Sequence, residues 1–192
     1  QSIGVNPYKF GLQGATDTHT GLSTASEDNF YGKFPRYEPT ADRAQVHHKS
    51  NPAMGIKGYD AWAFASSGIT AVWASENTRE SVFDAMGRKE TYATTGPRIA
   101  RGCLGGWSFD ESEAYSPGLV RKGYEGGVPM GGDLVKNVKG GAPSFLIQAM
   151  RDPRGAKLDR VQVVKGWVGI DGAPREQIYD VAWSGERQLD DL

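Results

Sequence analysis

The chain has 192 residues, with 22 Lys and Arg against 23 Asp and Glu and a formal charge of -1, which argues against a nucleic-acid binder driven by net positive charge. The length suits one domain, or one domain with a small appendage, and 38% hydrophobic residues suffice for a core. No apolar run approaches the roughly 18 residues of a membrane span, and the single cysteine, Cys103, can form neither an internal disulfide nor a cysteine zinc site.

Gln1 opens the chain with no charged and apolar leader pattern, so a processed precursor or a piece of a longer protein is expected, and no leader marks a compartment. Tyr8, Phe10 and Leu12 alternate with Lys9, Gly11 and Gln13, the period of a strand ending at Thr16-Asp17-Thr18-His19. From Thr20 to Gly58 the pattern fails. Pro35, Pro39 and Pro52 punctuate a polar stretch expected to be a functional loop or a mobile segment with at most short helical turns, as at Ala41 to His47. Ile69 to Ala74 is a β-branched run and reads as a strand. The clearest helix follows, with Asn77 as N-cap, Glu80 in its first turn, and Val82, Phe83 and Met86 as the stripe expected to be buried. It ends near Arg88-Lys89, and Tyr92 to Thr95 reads as extended.

Beyond residue 98 no comparable helical stripe occurs. Ile99 to Phe109, Ser144 to Met150, Leu158 to Val168 and Ile178 to Trp183 read as strands, and Asp171-Gly172 as a hairpin turn. The chain's 26 glycines, about twice the usual share of roughly 7%, predict many tight turns or bulges. The fold class expected is α/β over residues 1–98, followed by a β-rich portion over 99–192.

One segment carries chemistry. Asp17 and His19 stand at i and i+2, roughly 6.6 Å apart on one face if the chain is extended there. Their carboxylate and imidazole suit zinc, manganese or iron. The plainer reading of the residues alone is that Asp17 forms an Asx turn and His19 is a polar loop residue. His47 and His48 are adjacent, so on an extended chain they face opposite ways and rarely share one ion. They read as a solvated loop pair, with substrate or metal contact as the alternative. Arg79 and Arg98 could grip a phosphate bidentately, though Arg79 reads more simply as an exposed helix residue. Cys103 and the five tryptophans read as packing residues.

The string Gly14-Ala15-Thr16-Asp17-Thr18-His19 resembles the G-S-D-[AT]-H segment of the PHP superfamily, named for polymerase and histidinol phosphatase domains. Gly68 to Ala74, Asn77-Thr78-Arg79-Glu80, Arg88 to Gly96, Gly131-Gly132-Asp133-Leu134 and Val164-Lys165-Gly166-Trp167 resemble a bacterial family catalogued as a domain of unknown function. The two resemblances imply the C-terminal part of a PHP-like (β/α) barrel followed by a β-rich region. They also imply a metal-dependent hydrolase of phosphoesterase type, with Asp17 and His19 as metal ligands. PHP domains open on an H-x-H motif. None occurs among His19, His47 and His48, so the remaining ligands are expected upstream of Gln1. The complete protein would then hold zinc, manganese or iron and act on a small-molecule or phosphoester substrate, whereas the isolated chain would hold little metal and be inactive. A non-catalytic β-rich module contacting a glycan or a partner protein is the alternative.

Overall fold

Two residues of ladder, His47–His48 (β1) and Tyr59–Asp60 (β2), are the first regular pairing in a computed structural model that describes residues 6, 8–22, 24–35, 40–49, 52–55, 57–66 and 68–186. Around them the described residues from Thr20 to Gly58 hold only single helical turns, at Glu27–Asn29, Arg43–Gln45 and Pro52–Met54. Pro39 lies outside the described residues. The low apolar content of this stretch matches the absence of longer elements among those described.

Residues 8–18 are not a strand. Tyr8, Phe10 and Leu12 remain 58% exposed or more, so their alternation has no core to serve. Side-chain hydroxyls take the place of a ladder. The Thr70 hydroxyl accepts from the Gly14 N–H at 3.0 Å and donates to the Gly14 carbonyl at 2.8 Å, while the Thr91 hydroxyl donates to the Leu12 carbonyl at 2.8 Å. Gly14 permits this approach, since a Cβ there would stand 2.6 Å from the Ile69 carbonyl oxygen.

Ile69–Val72 (β3) and Thr91–Thr94 (β4) pair antiparallel, Ile69 opposite Thr94 and Val72 opposite Thr91. Between them runs Arg79–Gly87 (α1), whose N-cap is Thr78 rather than Asn77: the Thr78 hydroxyl accepts from the Ser81 N–H at 3.3 Å. Its C-terminus closes with the Lys89 N–H on the Met86 carbonyl and the Glu90 N–H on the Ala85 carbonyl, and Lys89 takes the left-handed position at φ 65°. This is the Schellman arrangement, made without the usual glycine. The buried side is also not the one expected. Ala85 is fully buried, Ser81, Val82 and Lys89 are half-buried, and Phe83 and Met86 are 73% and 51% exposed. Within the helix the inward side thus runs through positions 81, 82 and 85, and Phe83 falls outside it.

Ala100–Gly106 (β5) lies between Gly127–Pro129 (β6) and Ser144–Met150 (β7) in a three-stranded sheet. Before β6 comes Leu119–Gly126 (α2), a helix the sequence reading did not include. Its buried residues are Leu119 and Gly123, and a Cβ on Gly123 would overlap the Leu104 side chain. Glycine replaces a large apolar residue at the closest point of the helix, so the stripe that marks a helix in sequence is missing. Leu104, Leu119 and Leu146 form the small core here, with Phe109 against it.

Arg160–Val168 (β8) and Pro174–Trp183 (β9) make a hairpin, Val168 opposite Pro174 and Arg160 opposite Trp183, with a bulge beside Val161 and Gln162. The turn contains Asp171-Gly172, and Gly172 has φ 78°, which glycine adopts without strain. By contacts the chain divides into two units, Gln1–Pro97 with Gly102–Ile147, and Arg98–Arg101 with Gln148–Leu192. The first therefore includes residues 102–147, which the sequence reading placed in the β-rich portion. Among the described residues no helix is long and apolar enough to cross a membrane.

Candidate functional site

Asp17 sits at φ 54°, a left-handed conformation that aspartate tolerates better than most residues. The chain turns sharply there, so the extended spacing assumed for Asp17 and His19 does not hold. The turn nevertheless brings the two together in another way: His19 Nδ1 lies 3.1 Å from the Asp17 carbonyl oxygen. A carbonyl only accepts, so in the neutral ring Nδ1 carries the proton and Nε2 keeps its lone pair.

A second segment locks onto this turn. The His19 N–H donates to the Lys33 carbonyl at 2.8 Å, and the His19 ring lies 4.7 Å from the Phe34 ring between centroids. The Lys33 ammonium meets Asp17 Oδ2 at 2.6 Å. Through that hydrogen bond and its charge, Lys33 holds the Asp17 carboxyl below the usual carboxylate range. The lysine side chain is 21% exposed and the aspartate side chain 74%, so the stem is covered while the carboxylate faces water.

Phe34 continues the cluster to His48 at 6.2 Å and to Phe64 at 5.8 Å, and His48 lies 5.5 Å from Phe64. Lys33 Nζ is 5.6 Å from the centroids of both phenylalanine rings, within cation–π range. β1 thus delivers His48 to the neighbourhood of His19. His47 takes another partner, with its Nδ1 2.8 Å from Asp60 Oδ1 across the two-residue ladder. The two histidines therefore separate as adjacent residues of a strand should, and His48 is not a solvated loop residue.

Among the described residues no group of three or more His, Cys, Asp or Glu is placed to hold a metal ion. Lys33, Phe34 and Phe64, which complete the cluster, carry no sequence signal beyond being aromatic or basic in a polar stretch. Arg79 is exposed at the start of α1, and Arg98 uses its backbone N–H on Asp152 at 2.7 Å. Packing was too general an expectation for the tryptophans. Trp62, Trp73, Trp167 and Trp183 are each 39% exposed or more, whereas Trp107 donates from Nε1 to the Val135 carbonyl at 2.9 Å.

Over residues 1–192 the chain matches the family described as protein of unknown function (DUF3604), and it belongs to that family. No curated protein and no solved structure matches it.

Proposed function

We propose that this member of the DUF3604 family is the C-terminal part of a PHP-type metal-dependent hydrolase acting on a phosphoester, with Asp17 and His19 among the ligands of a divalent ion. The observation that carries the reading is the His19 ring. Its Nδ1 is committed to the Asp17 carbonyl, which leaves Nε2 with the lone pair a metal would take, and the Asp17 carboxylate two residues away is exposed. A second hydrogen bond of this kind commonly orients a metal-ligating histidine. A left-handed non-glycine residue at the turn adds backbone strain, which tends to be kept at functional sites.

The donor set suits zinc, manganese or iron in kind, but two side chains fill only part of a coordination shell. The reading therefore places the other ligands elsewhere in the complete protein, in the remainder of a PHP-like barrel. A divalent ion held there would supply Lewis acidity toward a phosphoryl oxygen. The chain's own part is to hold the His19 ring by Nδ1 and by Phe34, and to present the Asp17 carboxylate to water. Elemental analysis of the complete protein tests the reading. Asp17→Ala and His19→Ala should each lower metal content and hydrolase activity together, while the melting temperature changes little. Equal metal content in wild type and both variants rejects it.

The exposed Trp167, Ile178, Tyr179 and Trp183 of the β8–β9 hairpin favour a second reading, a β-rich module contacting a glycan or a partner protein. A complete protein that holds no metal at Asp17 and His19 would leave that reading ahead.

A further inference from the structure

We propose that Lys33 is the resident counter-cation of the Asp17–His19 site, neutralising Asp17 while no divalent ion is bound and released by the ion to hold an oxyanion of the substrate. The inference rests on the metal reading above and adds to it a residue and a binding order.

The carboxylate partner of Lys33 among the described residues is Asp17, at 2.6 Å. Its stem is covered, and its ammonium is equidistant from the Phe34 and Phe64 rings at 5.6 Å. Such a head group is held in place from three sides. The backbone fixes it too, because the Lys33 carbonyl receives the His19 N–H at 2.8 Å. Displacing the ammonium from Asp17 therefore leaves the lysine beside the site.

Charge then sets the order of events. Asp17 and Lys33 cancel each other. A divalent ion on the same carboxylate repels the ammonium, since two cations a few ångströms apart in a partly covered site repel strongly. The freed ammonium needs an anion, and a phosphoryl oxygen arriving at the ion provides one. His19 borders the Phe34 ring and His48 borders Phe34 and Phe64, the two rings that flank the cationic head. Ion and oxyanion then bind cooperatively, and each tightens the other by the same factor.

Mn(II), followed by electron paramagnetic resonance in the complete protein, and inorganic phosphate as the oxyanion test this. Lys33→Met removes the competitor for Asp17 and should tighten Mn(II) by about two- to fivefold, the range of an exposed ion pair. Phosphate should tighten Mn(II) in wild type and in Lys33→Arg, and should have no such effect in Lys33→Met. Lys33→Gln, with a polar head on a similar stem, repeats the test if methionine disturbs the fold. Unchanged or weaker Mn(II) binding in the uncharged variants, or a phosphate effect equal to wild type, overturns the role of Lys33 while sparing the metal reading. Absence of Mn(II) uptake by wild type overturns both.

Discussion

The Tyr124 hydroxyl donates to Glu90 Oε2 at 2.6 Å, tying α2 to the residue that precedes β4. Glu90 is buried at 4% exposure, and its other oxygen accepts from Arg88 Nε at 2.7 Å. A covered carboxylate is tolerated only with both oxygens partnered, so the tyrosine and the arginine act as one unit.

Tyr124→Phe should therefore cost about 1–2 kcal/mol in urea melts. It orphans one oxygen of a buried carboxylate, but at a half-exposed tyrosine where water can partly replace the hydroxyl. A loss within 0.3 kcal/mol of zero, taken as about the scatter of such measurements, would show that the bond contributes nothing.

The same pair predicts a pH response. Burial, and then the hydrogen bond to Glu90, push the Tyr124 phenol up from its ordinary 10.0 to about 12. A proton held more tightly in the folded state stabilises it below the unfolded pKa. That contribution is lost as pH rises through the folded value. Stability should accordingly fall between pH 10 and about 12, and Tyr124→Phe should flatten the fall. Parallel curves for wild type and variant would refute the assignment.

Two glycine-to-alanine substitutions should act in opposite directions. Gly87 closes α1 with open space around its Cα, so Gly87→Ala should stabilise by up to about 1 kcal/mol. At Gly123 the same propensity gain meets the Leu104 side chain, and overpacking should make Gly123→Ala destabilising by about 1–3 kcal/mol. Chemical denaturation of both variants decides the matter, and equal signs would mean that α2 does not pack on Leu104 as described.

Capping separates the two readings of α1. Thr78→Ala should cost about 1 kcal/mol, and Asn77→Ala much less, because the Thr78 hydroxyl accepts the Ser81 N–H. Phe83→Ala should lose under about 1 kcal/mol, as expected for a ring 73% exposed. A loss near 3 kcal/mol would restore the stripe expected from sequence.

How far the sequence carries depends on where the information lies. The run Arg160 to Val168 is legible because β-branched and aromatic residues accompany local pairing across a hairpin, and Asp171-Gly172 marks its own turn. The strand expected over Tyr8 to Thr16 fails because alternation does not say whether a partner exists. Here the partners are the hydroxyls of Thr70 and Thr91, 56 and 79 residues away. α2 is hidden because its contact residue, Gly123, has no side chain to register as apolar. At the site, Asp17 and His19 stand out as a motif. Lys33, Phe34 and Phe64 join them through a backbone hydrogen bond, an ion pair and a set of ring contacts, none of which leaves a trace in residue spacing.

The two-residue ladder of β1 and β2 makes the duplication of histidine a form of insurance against misalignment. So short a ladder does little to exclude a slip by one position, and each slip turns every side chain to the other face. A slip in one direction would carry His47 into the ring cluster and leave Val46 opposite Asp60. The opposite slip would bring His48 to Asp60 and set Lys49 among the rings. Either error keeps an imidazole at one of the two stations, whereas a single histidine at this point could be lost from both.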